Sequence, residues 1–352
     1  NGDGHFTKGP KVKEFEESFA NYVGSEYGVA LNSCTSALEI VLKTIGLNEK
    51  HEVIVPVQTF ISTGSCVVSN GAKPIFCEID QNHLIDFEDL KKKITSKTKA
   101  VIIVHFLGLI HPQIFEIKNY LKEKNIFLIE DAAHAHGAKF GETYAGNIGD
   151  FGCFSFYSTK IITTGGEGGL ITTNNKQIAK LCSSYGNIGI DIDAGIEIFN
   201  NIGSNKRMNE IQAIFGIYQL KQLTKFVKHR NEIASIYLSR LKELKEAGII
   251  DFQNYPSNIV HSYWRFMVQL KSSKYERLMI QKKLNEEGIK IDWPYQPLMH
   301  LQPIFKRLYG IKEGHLKKSE DFAKNNICLP IHLGIKNNDA EMIADTFQKV
   351  FE

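Results

Sequence analysis

The residue best placed to do chemistry in this chain is a lysine, Lys160, which ends the run FSFYSTK at residues 154–160. A glycine-rich turn, GGEGG at residues 165–169, follows it closely. A lysine between aromatic side chains and a tight turn is placed for amine chemistry rather than for solubility. Because such an amine can form a Schiff base with an aldehyde, we predict that Lys160 is a catalytic residue.

An acid upstream of this lysine points to one kind of cofactor. Asp131 follows Glu130 and the apolar run IFLI at residues 126–129, so it ends a predicted central strand, where open α/β sheets bind ligands. A carboxylate there could keep a ring nitrogen protonated, which makes the ring an electron sink. An acid followed by a lysine is the pairing that a pyridoxal phosphate enzyme needs. The alternative is a structural acid that caps the next loop.

Two histidines follow the acid. His134 comes three residues after Asp131 and could reach the phenolic oxygen of such a cofactor. His136 is ambiguous, because a lone histidine is more often structural.

Hydroxyl side chains mark a possible phosphate site. Thr35 and Ser36 lie between a predicted strand, 27–31, and the start of a predicted helix. Free backbone N–H groups and the helix dipole favour an anion at such a place, although the two residues could also simply cap the helix. On a strand, the Ser155 side chain faces away from its two phenylalanine neighbours, and it could join the same site.

Two further residues could complete the walls of the site. Phe60 follows the predicted strand 52–55 and could stack on a flat ring, although core packing is the more common role of phenylalanine. Asn205 lies in a polar loop before a long helix and could contact an anion, although taken alone this segment is a surface loop.

Short apolar runs that alternate with helical periodicity must position these residues. They predict an α/β fold with a mostly parallel sheet covered by helices. The predicted strands are 27–31, 52–55, 74–77, 100–106, 126–129, 152–156 and 169–173, and the predicted helices between them include 12–22, 86–94 and 115–124.

The pattern changes near residue 208. Asn209 and Gln212 fit a helix cap, and a helical region with a possible break runs to about residue 244. A strand over 261–270 and helices over 273–287 and 339–351 follow. We therefore predict two domains: a large cofactor domain over residues 1–225 and a smaller α+β domain over residues 226–352.

Composition limits the classes of function. The chain has 352 residues, 43% of them hydrophobic, and a net charge of +3, which gives no support for nucleic-acid or membrane partners. No metal or redox spacing links the six cysteines, so we expect buried free thiols, no metal site and a reducing, cytoplasmic location. No apolar run is as long as a membrane span, and no signal peptide is visible.

Together these segments resemble the DegT-type sugar aminotransferases, a branch of the fold type I (aspartate aminotransferase-like) pyridoxal phosphate enzymes. The resemblance covers nearly the whole chain, and the acid motif followed by Ser-x-x-x-x-Lys is its most specific part. The segments that carry it are 9–16 (GPKVKEFE), 34–38 (CTSAL), 130–137 (EDAAHAHG), 154–160 (FSFYSTK), 163–169 (TTGGEGG), 205–208 (NKRM), 297–300 (PLMH) and 329–332 (LPIH).

The resemblance assigns roles at the reacting end of the site. It implies that Lys160 binds the cofactor covalently and that Asp131 is the acid at the pyridine nitrogen. His134 stands where the family commonly has glutamine beside the phenolic oxygen, and Phe60 matches the aromatic residue over the ring.

It also assigns the phosphate end. Thr35, Ser36 and Ser155 match phosphate-site positions. Asn205 matches an asparagine that reaches the phosphate from the neighbouring subunit, which implies a homodimer with shared active sites. The turn 163–169 has one glycine more than the usual Thr-Thr-Gly-Glu-Gly-Gly of the family.

The implied activity is that of a pyridoxal phosphate-dependent transaminase with a ping-pong cycle. Its expected substrates are L-glutamate and a nucleotide-linked keto-sugar. The turn at 163–169 and the segment HSYW at 261–264 favour a 4-keto-6-deoxy sugar, as in perosamine-type synthases that serve O-antigen or other glycan synthesis. Some relatives are dehydratases with histidine at the lysine position, and Lys160 argues against that activity. A cyclitol ketone as substrate and a catalytically silent regulator remain the alternatives.

Overall fold

The computed structural model describes residues 6–7, 9–191, 193–194, 196–271 and 274–351. Its strands are β1 Tyr27–Leu31, β2 Glu52–Pro56, β3 Lys73–Cys77, β4 Thr98–Val104, β5 Phe127–Asp131, β6 Lys139–Phe140, β7 Thr143–Tyr144, β8 Phe151–Ser155, β9 Gly169–Thr173, β10 Ile250–Asp251, β11 Ile259–Val260, β12 Phe266–Leu270 and β13 Asn326–Leu329.

The helices alternate with these strands. They are α1 Pro10–Val23, α2 Cys34–Thr44, α3 Ser62–Ser69, α4 Phe87–Lys93, α5 Ile114–Glu123, α6 Lys176–Gly186, α7 Glu210–Leu220, α8 Leu223–Arg240, α9 Lys242–Glu246, α10 Arg277–Glu286, α11 Pro303–Tyr309, α12 Lys317–Lys324 and α13 Asn337–Lys349. Short 3₁₀ turns lie at Phe106–Gly108 and Met299–Leu301.

The central sheet has seven strands in the order β1-β9-β8-β5-β4-β2-β3. Strands β3, β2, β4, β5 and β8 are parallel, whereas β9 is antiparallel to both of its neighbours. The predicted mostly parallel, mixed α/β sheet is therefore confirmed. Apolar side chains from both faces of the sheet form two large core clusters beneath the flanking helices.

Register brings several chain segments to one edge of this sheet. Asp131 ends β5 and Ser155 ends β8, and these strands are parallel. Gly169, the first residue of the antiparallel strand β9, pairs with both Ser155 and Leu31. The start of α2 and the segment that carries Lys160 therefore emerge at the same edge, which is where parallel sheets bind ligands.

A second sheet, in the order β10-β12-β13, is antiparallel. It belongs to a third core cluster whose buried members all lie between Ile233 and Phe351. The predicted boundary at 225/226 falls inside α8, and the division into 1–225 and 226–352 stays a prediction. The chain also returns after β12, because Leu298, Phe305 and Leu316 pack in a core cluster of the central sheet.

The predicted strand 261–270 is wrong in its first half. Within this range, only residues 266–270 (β12) pair in the sheet, and Tyr263 has a positive φ of 48°. The Ser262 N–H donates to the Gly108 carbonyl and the Trp264 N–H to the Leu107 carbonyl. These residues therefore bind the turn after β4 instead of a neighbouring strand. The helix expected over 273–287 is observed from Arg277 to Glu286.

Within the described residues, no helix is both long and apolar enough to cross a bilayer, and no cluster of side chains has the make-up of a metal site. All six cysteines are buried free thiols, as predicted.

Candidate active site

A cavity of about 650 Å³ opens at the edge of the central sheet where these segments meet. Its walls come from the start of α2, the segment before α3, the ends of β5 and β8, and two loops at 264–265 and 292–295. Of the residues predicted from the sequence, six line this cavity: Thr35, Phe60, Asp131, His134, Ser155 and Lys160.

Lys160 directs its amine at an indole ring. Its Nζ atom lies 4.2 Å from the centroid of the Trp264 ring, and the Trp264 Nε1–H donates to the Thr159 carbonyl at 2.7 Å. Burial lowers the pKa of Lys160 to about 8, although the charge of Asp131 acts in the opposite direction. More of this amine is therefore neutral near pH 7 than in an ordinary lysine, although the protonated form still predominates, and the neutral amine is the nucleophile.

Asp131 is almost completely buried, at 5% exposure. Its Oδ2 accepts from the Thr63 hydroxyl at 3.0 Å, and its Oδ1 accepts from the Ala133 N–H at 3.2 Å. Burial raises the pKa of Asp131. No cationic side chain among the described residues lies within ion-pair distance of this carboxylate, so a protonated ring nitrogen would supply the missing positive partner.

His134 is held in one tautomer. Its Nδ1 accepts from the Leu107 N–H at 3.3 Å, and its Nε2 lies 2.8 Å from the Tyr295 hydroxyl. Because Nδ1 acts as an acceptor, the ring hydrogen resides on Nε2. The ring stacks on Trp264 with 3.8 Å between centroids. Burial, together with the Lys160 charge, lowers the pKa of His134 well below its usual value, so the ring is a neutral N–H donor.

His136, which was ambiguous in the sequence, is a core residue. Its ring packs against Phe154 and Phe156, each at 5.5 Å between centroids. Burial lowers the pKa of His136 to about 3.

The start of α2 contributes one of its two predicted hydroxyls. Ser33 caps the helix by accepting from the Ser36 N–H. The Thr35 hydroxyl lines the cavity and lies 2.8 Å from the Ser62 hydroxyl. The Ser36 hydroxyl instead donates to the Asn32 side chain at 2.7 Å. Ser36 does not line the cavity, so the structure places only Thr35 of this pair there.

The glycine turn supports this end of the cavity. Gly165 and Gly166 have φ values of 84° and 150°, which favour glycine. A Cβ atom at Gly169 would lie 2.2 Å from the Ser33 carbonyl carbon. Glycine at this position therefore lets β9 pass directly beneath the start of α2.

Asn205 lies apart from the cavity of its own chain. It is exposed and forms an isolated bridge with Asn187. The structure therefore does not bring Asn205 together with the other predicted site residues within one chain.

Several residues of the cavity were missed in the sequence: Thr63, Trp264, Arg265, Asp292 and Tyr295. The last four come from loops far along the chain, and no periodicity marks them. The only available signal was the segment 261–264, which was assigned to a strand.

The comparisons with known proteins agree with this geometry. Residues 2–348 match the model of the DegT/DnrJ/EryC1/StrS aminotransferase family. The chain belongs to this family, so it is an enzyme of the transaminase class, as the sequence predicted. The family is one of pyridoxal phosphate-dependent enzymes with fold type I architecture, and the predicted cofactor and fold are confirmed.

Two curated relatives and one solved structure illustrate the similarity. The chain is 35% identical to the uncharacterized protein MJ1066 of Methanocaldococcus jannaschii, covering 98% of this chain and 91% of that protein. It is 31% identical to GDP-perosamine synthase of Escherichia coli O157:H7, with coverage of 98% and 91%. The putative sugar aminotransferase Spr1654 of Streptococcus pneumoniae, solved in its PMP form, superimposes with a TM-score of 0.90 at 26% identity, covering 99% of this chain and 93% of that one.

The cavity fits the cofactor of this family. Lys160 and Asp131 offer an amine and a buried carboxylate in one cavity. Thr35 and Ser155 offer hydroxyl groups near the start of a helix, where a phosphate is favoured.

Proposed function

We propose that this enzyme transfers an amino group from L-glutamate to a nucleotide-linked keto-sugar, with a 4-keto-6-deoxy sugar as acceptor and a perosamine-type product. The observation that carries the proposal is that the Lys160 amine and the buried carboxylate of Asp131, which has no ion-pair partner among the described residues, share a cavity of about 650 Å³. The similarity to GDP-perosamine synthase supports this choice of acceptor. The product would serve O-antigen or other polysaccharide synthesis.

The proposal gives each side chain a task. Pyridoxal phosphate, when bound, supplies an electron sink that makes the α-hydrogen of an amino acid acidic. Lys160 would hold the cofactor through its aldehyde, and the Lys160 amine would carry a proton to and from the α-carbon of the amino acid. Asp131 would keep the ring nitrogen protonated, and the Nε2–H of His134, which now faces the Tyr295 hydroxyl, would donate to the phenolic oxygen. Phe60 would cover the ring, while Thr35 and Ser155 would bind its phosphate.

Visible spectroscopy tests the donor half of the reaction. Purified enzyme should be yellow with pyridoxal phosphate, and glutamate should abolish that absorbance and release 2-oxoglutarate. The Lys160→Ala variant should form no covalent adduct, whereas Lys92→Ala, at an exposed helix position, should behave like the wild type. A colourless protein that takes up no cofactor would contradict the proposal.

A substrate panel tests the acceptor half. Nucleotide-linked 4-keto-6-deoxy sugars should be aminated in preference to keto-inositols. Preferred amination of a keto-inositol would make the enzyme a cyclitol aminotransferase. Enzyme that takes up the cofactor but shows no reaction with glutamate would support a silent regulator instead.

We also propose a homodimer with shared active sites. Two features support it. Exposed apolar side chains recur along one face of α7, and further exposed ones lie at Phe199 and Ile202. Helix α7 also borders the glycine turn after Lys160, since Phe215 lies near Gly165. A second copy that covers this helix would therefore lie beside the cavity. The exposed members of the α7 face are Ile211, Ile214, Phe215 and Tyr218.

Mixing two inactive variants tests the shared sites. In a dimer whose Asn205 serves the partner's cavity, combining Lys160→Ala with Asn205→Ala subunits restores one intact site in each hybrid, or about a quarter of wild-type activity after random exchange. If Asn205 serves its own chain, mixing should restore no activity. Sedimentation analysis of each variant provides the oligomeric state.

The six buried free thiols further support the proposed cytoplasmic location.

A further inference from the structure

We propose that a second cavity, beside the candidate active site, binds an organic carboxylate with an apolar body, and that the Arg230 guanidinium holds its carboxylate group. This second cavity has a volume of about 590 Å³ and lies between α8, the end of β13, α13 and the loop 287–292. Lys160 is not among its lining residues. The proposed ligand is therefore a separate small molecule, neither the amino donor nor the keto-sugar.

Arg230 on α8 is a buried cation in the wall of the second cavity, at 6% exposure. Its Nη1 atom donates to the carbonyls of Tyr263, Trp264 and Ile331 at 2.8, 3.4 and 2.9 Å. Its Nε atom is buried without a hydrogen-bond partner. The ion pairs that arginines form among the described residues do not include Arg230.

One edge of this guanidinium remains available. An arginine binds a carboxylate through two parallel N–H groups, and because Nη1 is committed to backbone carbonyls, the edge formed by Nε and Nη2 is left. Burial, together with the Arg265 charge, lowers the pKa of Arg230 to about 10, so the group is still charged at neutral pH. A buried charge without a counter-charge is costly, and a bound anion would remove that cost.

The other charged side chains of the second cavity do not neutralise Arg230. Arg265 and Asp292 pair with each other, with 2.7 Å between Nη1 and Oδ2. Glu287 and Lys290 are exposed and carry opposite charges. Because each of these two sets cancels, the positive charge of Arg230 is left for a ligand.

The remaining wall of the second cavity is largely apolar. It includes Ile289, Ile291, Ile331, Ile335, Met342 and Ile343. Burial of an apolar group against these side chains is favourable. A carboxylate, with one charge and two oxygens, matches a single guanidinium edge, whereas a phosphate monoester brings nearly two charges and three oxygens. The wall and the single free edge together favour an amphipathic carboxylate.

The position of the second cavity connects it to the reacting amine. Thr159, which precedes Lys160 in the chain, and Trp264, whose ring centroid lies 4.2 Å from the Lys160 Nζ atom, line both cavities. A ligand that displaces Trp264 therefore changes the surroundings of Lys160. Occupancy of the second cavity should alter the rate of the donor half-reaction through this shared wall.

Calorimetric titration of the cofactor-loaded enzyme with linear monocarboxylates, from acetate to octanoate, tests the proposal. Affinity should rise with chain length, by up to about fourfold for each added CH₂ group. Octanamide, which has the same chain without the charge, should bind at least about tenfold more weakly than octanoate. Inorganic phosphate should not displace octanoate.

Two variants locate the binding site. Arg230→Lys keeps the charge but loses the guanidinium edge, so the affinity for octanoate should fall by about tenfold. Met342→Trp fills the second cavity from α13 and leaves Arg230 in place, so the affinity should fall by at least about tenfold. Met279→Trp, at a 40% exposed position that lines neither cavity, is the matched control and should bind octanoate like the wild type. Thermal unfolding of each variant verifies that it is folded.

Kinetics distinguish the second cavity from the active site. Octanoate should change the rate of glutamate conversion with a half-saturation equal to its calorimetric dissociation constant, and this change should vanish in Met342→Trp. A rate that stays constant while octanoate saturates the enzyme would refute the influence on Lys160. Competition with glutamate that persists in Met342→Trp would place the carboxylate beside Lys160 and overturn the proposal.

The proposal is also overturned if no monocarboxylate binds the wild-type enzyme at concentrations up to about 10 mM. The same holds if Arg230→Lys and Met342→Trp both bind octanoate like the wild type, or if phosphate displaces octanoate. The binding measurements contain no glutamate and no sugar, so their outcome is independent of the proposed donor and acceptor.

Discussion

Glu130 and Asp131 are consecutive carboxylates on β5. Their side chains lie on opposite faces of the sheet and differ in how many hydrogen bonds they accept. Glu130 is fully buried and accepts four hydrogen bonds, from the His105 ring and from the N–H groups of Gly146, Ile148 and Gly149. Asp131 is nearly as buried but accepts from one hydroxyl, one N–H group and, at 4.0 Å, the Cys34 thiol.

This difference indicates that Glu130 stabilises the fold, whereas Asp131 is available for chemistry. Glu130 uses its acceptor capacity to join the end of β4 to the loop 146–149, so its charge is satisfied by the fold itself. Asp131 lines the cavity and accepts fewer and weaker hydrogen bonds than Glu130. Burial alone therefore does not identify a functional acid, whereas burial with incomplete hydrogen bonding beside a cavity does.

The largest expected effect comes from Asp131→Asn. The amide cannot hold the cofactor ring protonated, so kcat/KM should fall by about 10³-fold or more, a loss comparable to that of a catalytic acid or base. The thermal unfolding midpoint of the cofactor-free protein should stay level or rise, because an incompletely paired buried charge is removed. Equal losses of activity and stability would contradict the division of roles.

Glu130→Gln should have the opposite profile. One backbone N–H or the His105 ring loses its acceptor, so the free energy of unfolding should fall by about 3 kcal/mol. Activity per folded molecule should remain close to that of the wild type. Denaturant unfolding monitored by circular dichroism measures the first quantity, and titration of active sites corrects the second. A catalytic loss in a stable Glu130→Gln protein would show that both acids serve the reaction.

The pH dependence of cofactor uptake sharpens the same comparison. Burial holds the pKa of Lys160 near 8, below its ordinary value, and the Asp131 charge raises it. The rate at which cofactor-free enzyme binds pyridoxal phosphate covalently should rise with pH and level off above about 8, as the amine loses its proton. The midpoint should move to lower pH in Asp131→Asn and stay in place in Glu130→Gln. Stopped-flow absorbance measures both shifts.

The smallest effect is expected for His134→Gln. The glutamine amide can still donate an N–H toward the phenolic oxygen, so activity should fall by less than about tenfold. His134→Phe preserves an aromatic ring against Trp264 but removes the donor, so its loss should be larger. If the two variants lose the same activity, stacking on Trp264, rather than the N–H group, accounts for the role of His134.

Local sequence patterns were sufficient for the elements that carry Lys160, Asp131 and Ser155. Asp131 and Ser155 end short apolar strands, Lys160 follows the second of these strands by five residues, and strand ends are visible in the residues themselves. The loops that supply Trp264 and Tyr295 were not predictable in this way, because they reach the cavity through long-range contacts. The Trp264 Nε1–H, for example, binds the Thr159 carbonyl. Ser36 is a residue for which the local pattern was misleading. Ser33 caps the helix, and the Ser36 hydroxyl donates to the Asn32 side chain instead of lining the cavity.

Gly169 joins the end of β8, which carries Ser155, to the start of α2, which carries Thr35. It pairs with Ser155 at the end of β8 and with Leu31 at the end of β1, and it leaves no clearance beneath Ser33. A single methyl group at this position would push the first turn of α2 outward and carry Thr35 with it. The position of the proposed phosphate anchor thus depends on the absence of a side chain at Gly169, on a strand that itself carries none of the proposed catalytic residues.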